Sequence, residues 1–410
     1  MKLTDKKKIT SLVFLCAFTY FISYLTRKNF AAIIEEISVA TGNARSSLAI
    51  ASTGMFITYG AGQLVSGYLG DRIQPKILVA LGLSVSSVMN LLMMVRILPL
   101  QIVLWCINGF AQAFMWPPIV KTMTATLTTD DYSANTQKVI WGSTIATILI
   151  YLAGPAIISV SSWEYVFVFS GTFGIIGTIV WWFKCPTIEL ISKKPVQAEV
   201  VGDTPKRKVF APVLIAILVS IICMGMLRDG AEEWMPSFIK DHFMVDTEIA
   251  ILTVVVLPIF ALICIAIATS LYRKVLKNPA LCAGAIFGVG LVAGTILYFF
   301  GGVNMVLSIA LFAILTGCMH GVNLILICIL PGLYKKTGRV SLMSGLLNSF
   351  TYIGSATMTY LTPALVENGL GGYDWGVALL VWLAVAVVGT LCCVLSIRPW
   401  KKYESQLLKD

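Results

Sequence analysis

A chain of 410 residues in which 58% are hydrophobic and only 12% charged is no water-soluble domain, where about a quarter of the residues carry charge. Its net charge of +10 would suit nucleic acid, but the basic residues fall in clusters between apolar stretches, so no nucleic-acid partner is expected. Lys6, Lys7 and Lys8, Arg72 and Lys76, Lys193, Lys194, Lys206, Arg207 and Lys208, Arg273, Lys274 and Lys277, Lys335, Lys336 and Arg339, and Arg398, Lys401 and Lys402 occupy one set of alternate connections. The other set holds little beyond Arg45, Arg96 and Lys240. That bias predicts a protein of the cell inner (plasma) membrane with both termini and the middle loop in the cytoplasm.

Apolar runs of about twenty residues cross a hydrocarbon core about 30 Å thick. Such runs predict helices at 9–34, 48–69, 77–96, 99–123, 138–160, 163–184, 211–237, 247–271, 279–300, 304–333, 340–364 and 374–397. They are continuous rather than alternating, which excludes a barrel. The fold class is therefore an all-α membrane protein of twelve transmembrane helices, set in a lipid bilayer and expected to work as a monomer. The first run follows basic residues, as a signal peptide does. It is too long for one, no small-residue cleavage site follows, and it reads as a retained first helix. The ten cysteines lie mostly inside apolar runs, without metal-site or disulfide spacing. With no nucleophile constellation, nucleotide loop, metal site or cofactor expected, an enzyme is excluded.

Charges together with Pro186, Pro195 and Pro205 mark the stretch from Lys184 to Lys208 as a linker. Residues 1–184 are expected to form a six-helix half, 185–210 a cytoplasmic linker, and 211–410 a second six-helix half with a short cytoplasmic tail. The halves look like parallel repeats. An offset of about 201 residues relates the starts of their first helices, Arg72 to Arg273, and Lys76 to Lys277. Trp163-Glu164 is loosely echoed by Asp374-Trp375. Two such halves with a site between them near the midplane are an architecture of secondary transporters.

In chain order, the charges left inside predicted spans are Arg27, Lys28, Lys121, Arg228, Asp229, Glu232 and Glu233. A charge at membrane depth costs from about 3 to above 10 kcal/mol, so each is a functional candidate. The alternative is a neutralised pair that joins helices, or snorkelling to an interface. Arg27 and Arg228 are related by the repeat offset, which sets them on opposite walls of a central cavity. Tyr20, Tyr24 and Arg27 share one helical face, placing hydroxyl donors beside the guanidinium. Two arginines suit a dianion, whether a phosphate ester, phosphate or a dicarboxylate. Glu232, four residues after Arg228, is spaced to pair with it. Glu233, about 140° round the helix, is expected to pair with Lys28 across spans one and seven and so to hold a gate. His320 fits a proton relay or ligand donor, and equally a helix-packing histidine. Trp116-Pro117-Pro118 interrupts span four, as is tolerated beside a cavity. Lys121, near the cytoplasmic mouth, fits either an anion funnel or snorkelling.

At these residues the chain resembles the organophosphate:phosphate antiporters of the major facilitator superfamily, over nearly its whole length. Tyr-Leu-Thr-Arg-Lys-Asn-Phe at 24–30 is similar to the first-helix motif of that family, and Leu227-Arg228 with Glu233-Trp234 and Pro236 to its seventh-helix motif. Gly67 to Arg72, with Asp71, resembles the superfamily's conformational loop between helices two and three. Asn108-Gly109 with Trp116-Pro117-Pro118 resembles a fourth-helix signature. The resemblance implies that Arg27 and Arg228 bind phosphate, with Tyr20, Tyr24, Gln63, Trp116 and His320 around the site. Gln63 stands where these antiporters often carry lysine, and the segment around Leu149 and Ile150 lacks a histidine that some place there. Asp229 and Glu232 add negative charge beside the second arginine.

The function expected is secondary transport of a small organic anion, foremost organophosphate/phosphate exchange by alternating access. Two alternatives stay open: a proton-coupled carboxylate symporter using Glu232, Glu233 or His320, and a membrane organophosphate sensor.

Overall fold

The computed structural model describes residues 3–70, 73–188, 212–330, 340–367 and 373–409. Its helices are α1 (Lys6–Ala32), α2 (Ile34–Thr41), α3 (Arg45–Gly70), α4 (Pro75–Leu92), α5 (Leu98–Gln112), α6 (Trp116–Thr126), α7 (Thr129–Val160) and α8 (Glu164–Lys184). They continue as α9 (Pro212–Phe243), α10 (Thr247–Thr253), α11 (Val256–Lys274), α12 (Pro279–Phe300), α13 (Met305–Asn323), α14 (Val340–Val366) and α15 (Gly376–Lys409). A π-helical turn, Leu324–Ile329, continues α13. Eleven described segments are long and apolar enough to cross a membrane. The 27-residue α14 stands at the place of the predicted eleventh span.

Local chemistry sets the ends. Asp5 accepts from the Lys7 N–H at the start of α1, Thr128 does the same for α7, and Asn278 and Asn304 cap α12 and α13. Each side-chain oxygen satisfies a first-turn N–H that has no partner inside the helix. Gly42, at φ 69°, closes α2 in the left-handed region that glycine enters without cost. Two predicted spans are divided in the structure. Pro117 and Pro118 have no N–H to continue α5, so the chain turns at 113–115 and restarts as α6. Pro258 likewise leaves the Val254 carbonyl without its i+4 donor, and α10 breaks from α11. α15 also runs past its predicted end to Lys409.

Among the helices before residue 185, α1 packs on α7 and α8, α4 on α5 and α8, and α3 on α5. In the second half α9 packs on α14, α15 and α13, and α12 on α13 and α15. The main seam between the halves is α3 against α14. Small residues permit the closest approaches, as in other membrane bundles. A methyl group at Gly225 would strike the Thr351 carbonyl, one at Gly354 the Ile222 carbonyl, and one at Gly142 the Ala17 carbonyl. The outer surface is apolar, with residues such as Phe14, Leu81, Phe183 and Leu395 exposed, as a lipid-facing belt requires.

A buried polar network fixes the rotation of α1. Asn90 and Asn108 both donate to the Thr26 carbonyl, at 2.9 and 3.0 Å. Asn29 donates to Asn90 Oδ1 at 2.7 Å. Gln112 bridges Thr26 Oγ1 and Ser86 Oγ, each at 2.8 Å. Four of these five bonds tie α1 to α4 or α5, the fifth ties α5 to α4, and the next two residues of α1, Arg27 and Lys28, then point at the second half.

Candidate functional site

Between the halves lies a narrow cleft, with about 20 Å³ open to the centre of a water-sized sphere. Arg27, Lys28 and Ala31 of α1, Ser52, Met55 and Phe56 of α3, Trp105 of α5, Tyr151 of α7, and Asp229, Glu232 and Glu233 of α9 line it. Six of the seven charged side chains predicted inside spans therefore meet in or beside one place: Arg27, Lys28, Arg228, Asp229, Glu232 and Glu233. Their formal charges cancel.

Arg27 is held by rings. Its guanidinium carbon stands 4.2 Å from the Tyr59 ring centroid, 5.5 Å from that of Tyr24 and 5.9 Å from that of Tyr352. Ring quadrupoles stabilise a desolvated cation without neutralising it. Among the described residues no carboxylate forms an ion pair with Arg27. The Tyr20 ring packs tilted against Trp116, 4.9 Å between centroids, and its hydroxyl meets that of Tyr24 at 3.4 Å. Neither Tyr20 nor Trp116 lines the cleft. Gln63 is buried one turn beyond Tyr59, also outside the lining.

Arg228 does not line the cleft beside Arg27. Its Nε and Nη2 donate to the two oxygens of Asp229, each at 2.8 Å, and Nη1 donates to Asn323 Oδ1 at 2.9 Å. Ser355 donates to Asp229 Oδ2 at 2.5 Å. The two arginines still share Tyr24 and Tyr352 as electrostatic neighbours. Because Asp229 takes up the fork of Arg228, the expected pairing of Glu232 with Arg228 does not occur.

The expected Lys28–Glu233 pair is also replaced. Lys28 Nζ donates to Glu232 Oε1 at 2.8 Å, and His320 Nε2 stands 3.9 Å from Glu232 Oε2. One residue along α9 is a 100° step, and the rotation of α9 against α1 brings Glu232, not Glu233, to the lysine. Glu233 instead accepts from Thr359 Oγ1 at 2.9 Å. Lys121 donates to the Gly70 carbonyl at the end of α3, where a cation complements the helix dipole. Gly67 is exposed on α3 with open space around it; Asp71 and Arg72 lie outside the described residues.

A second cluster closes the bundle at the face opposite the chain termini. Arg45, only 3% exposed, pairs with Glu35 at 2.7 Å and with Asp241 at 2.6 Å, and its guanidinium lies 4.0 Å from the Tyr373 ring centroid. Ser237 donates to Glu35, Trp375 Nε1 to Asp241 at 2.9 Å, and Ser46 Oγ to Glu367 at 2.5 Å. Sequence reasoning treated Arg45 as a loop charge and passed over Tyr59 and Tyr352. Two acids, Glu35 and Asp241, each at a helix end beside it, were the available signal for Arg45. The tyrosines had none beyond their polarity within apolar runs.

The family model described as Major Facilitator Superfamily matches residues 16–330. The chain belongs to the Major Facilitator Superfamily. It is a multi-pass membrane protein of that superfamily and not an enzyme. Curated relatives include a "Probable hexose phosphate transport protein" of Chlamydia trachomatis, 31% identical over 106 residues, covering 26% of this chain and 23% of that protein. The "Membrane sensor protein UhpC" of Escherichia coli is 33% identical over 107 residues, 26% of this chain and 24% of that one. The "Glycerol-3-phosphate transporter" of Bacillus subtilis is 28% identical over 161 residues, covering 37% and 36%. The matched stretches thus span between about a quarter and a third of these relatives. Their names fit the resemblance to the organophosphate:phosphate antiporters drawn from the motifs. Among solved structures, a bacterial homolog of the human lysosomal transporter Spinster, inward-facing and unoccupied, superposes with a TM-score of 0.73 at 14% identity, covering 99% of this chain and 98% of that one. A mutant of the nucleoside transporter NupG gives 0.74 at 14%, covering 94% and 99%. At such identities the likeness shows the fold.

Proposed function

We propose that this superfamily member carries a small organic anion, an organophosphate foremost, in exchange for inorganic phosphate across the plasma (inner) membrane, with both termini in the cytoplasm. Arg27 carries the reading: it is a guanidinium at membrane depth that lines the cleft and has aromatic rings rather than an acid around it. Its planar fork donates two parallel hydrogen bonds to a phosphate or carboxylate. The names of the hexose phosphate and glycerol-3-phosphate relatives support the cargo class.

Exchange follows from desolvation. Closing the halves over an empty cleft removes water from Arg27 with no counter-ion in place, which is costly; a bound oxyanion offsets that cost. The loaded carrier then reorients readily and the empty one slowly. The layer of Arg45, Asp241, Ser46 and Glu367 supports a gate that opens in the alternate state.

The test uses purified protein in liposomes loaded with labelled phosphate. External glycerol 3-phosphate or glucose 6-phosphate is expected to accelerate label efflux at least tenfold, and Arg27→Lys to remove the effect. Net efflux as fast as exchange would overturn the antiport. A second reading, a sensor that binds organophosphate without efficient transport, is favoured by the UhpC relative; ligand binding with no accelerated efflux would select it.

A further inference from the structure

The carboxylates of the cleft are not equivalent. Both oxygens of Asp229 are taken by Arg228, and Ser355 adds a third bond. Glu232 has Lys28 on one oxygen and His320 facing the other. Glu233, only 4% exposed, is bonded through Oε2 to Thr359. Its Oε1 is buried with no hydrogen-bond partner among the described residues. Ser52 is the donor beside this carboxylate on the same cleft, but it makes no hydrogen bond of standard geometry to Oε1. With Lys28 bound to Glu232 and Arg228 to Asp229, the cleft is left with one cation that has no acid, Arg27, and one acid that has no cation, Glu233.

From this complementarity we infer that the cargo is a small zwitterion, an oxyanion bearing an ammonium group, with its anionic end at Arg27 and its ammonium at Glu233 Oε1. The inference rests on the anion-carrier reading and narrows it. A simple dianion in a cleft lined by two cations and three carboxylates would face Glu233, Glu232 and Asp229 with one available guanidinium. A zwitterion satisfies both orphaned groups and leaves the two internal pairs intact. An ammonium has three donors for a carboxylate and its neighbours. Phe56, Trp105 and Tyr151 line the same cleft, and aromatic rings attract a desolvated cation.

Two ligand pairs that differ only by an amine test this on the purified full-length protein, by calorimetry in detergent: O-phosphoethanolamine against ethyl phosphate, and β-alanine against propionate. In at least one pair the amine-bearing member is expected to bind at least tenfold tighter. Glu233→Gln should reduce that ratio to near one, and Arg27→Lys should weaken both members. Equal affinities within both pairs would overturn the zwitterion and leave the anion reading standing. That is also the outcome if Glu233 merely holds a proton, which gives the amine no advantage. A preference that persists unchanged in Glu233→Gln would overturn the assignment to Glu233. Binding of amine-bearing ligands that is indifferent to Arg27→Lys would overturn the anion reading as well. The wild-type comparison alone decides the first point should the variant fail to fold.

Discussion

Arg45 and Asp241 form a two-pronged bond between the halves, Nη1 to Oδ2 at 2.6 Å and Nη2 to Oδ1 at 2.9 Å. Arg45 opens α3 and Asp241 lies in the last turn of α9, so the pair ties the first half to the second where Glu35 already holds the same guanidinium. Removing one partner of a buried pair leaves the other charge uncompensated, at a cost of about 3–5 kcal/mol. Arg45→Ala should therefore depopulate the state that is closed at this face. Spin labels at Val39→Cys and Ile249→Cys, both exposed at that face on opposite halves, would report it in a cysteine-depleted background. The inter-label distance should lengthen; an unchanged distribution would show that the pair is not what holds this face shut.

Lys28 and Glu232 should behave as a unit. Lys28→Met and Glu232→Gln each leave a buried charge alone and should lower exchange by an order of magnitude or more, while the double variant should recover part of the loss. Coupling between contacting residues of about 0.5–3 kcal/mol is the expected scale. The charge swap Lys28→Glu with Glu232→Lys should outperform the corresponding swap with Glu233. Equal damage from both swaps would refute the pairing.

Arg27 and Arg228 should part company under conservative substitution. Arg27→Lys should weaken oxyanion binding at least tenfold by losing the bidentate fork, with little change in thermal unfolding, because no ion pair is broken. Arg228→Lys breaks the fork on Asp229 and the bond to Asn323, and should lower the unfolding midpoint by a few degrees. Differential scanning fluorimetry alongside calorimetric titration separates the two. Matching profiles for the two variants would contradict the distinct settings described for them.

The α9–α14 contact predicts which glycines matter. Gly225→Ala and Gly354→Ala each force a methyl group onto a partner backbone carbonyl, and overpacking of this kind costs about 1–3 kcal/mol. Gly67→Ala meets nothing within 4 Å and should leave the unfolding midpoint where it was. Equal effects on thermal stability would argue against the tight seam.

Hydropathy made the spans legible because the bilayer imposes one length on every crossing, and the loop charges followed from the same constraint. The breaks at 113–115 and before Val256 were only partly legible. Pro117 and Pro118 announce the first, whereas Pro258 sits in a run so apolar that its missing N–H went unweighed. The partner of Lys28 was out of reach for a geometric reason: adjacent residues on α9 point 100° apart, and sequence does not fix the rotation of one helix against another. Asn90, Asn108 and Gln112 set that rotation for α1, through bonds to Thr26 that form only once three helices are assembled. Tyr59 and Tyr352 were missed for the same cause, since each belongs to the surroundings of Arg27 only across packed helices.

Tyr352 comes from α14, in the second half, and Arg27 from α1, in the first. Tyr59 and Tyr352 meet edge to face at 4.6 Å between centroids, so the enclosure around the guanidinium is completed only while α3 and α14 stay in contact. Under the alternating access proposed above, a rocking motion that parts this seam would withdraw one ring, admit water to Arg27 and weaken its grip on an oxyanion. On that proposal affinity would be wired to posture, firmest while the seam is shut and looser as it opens.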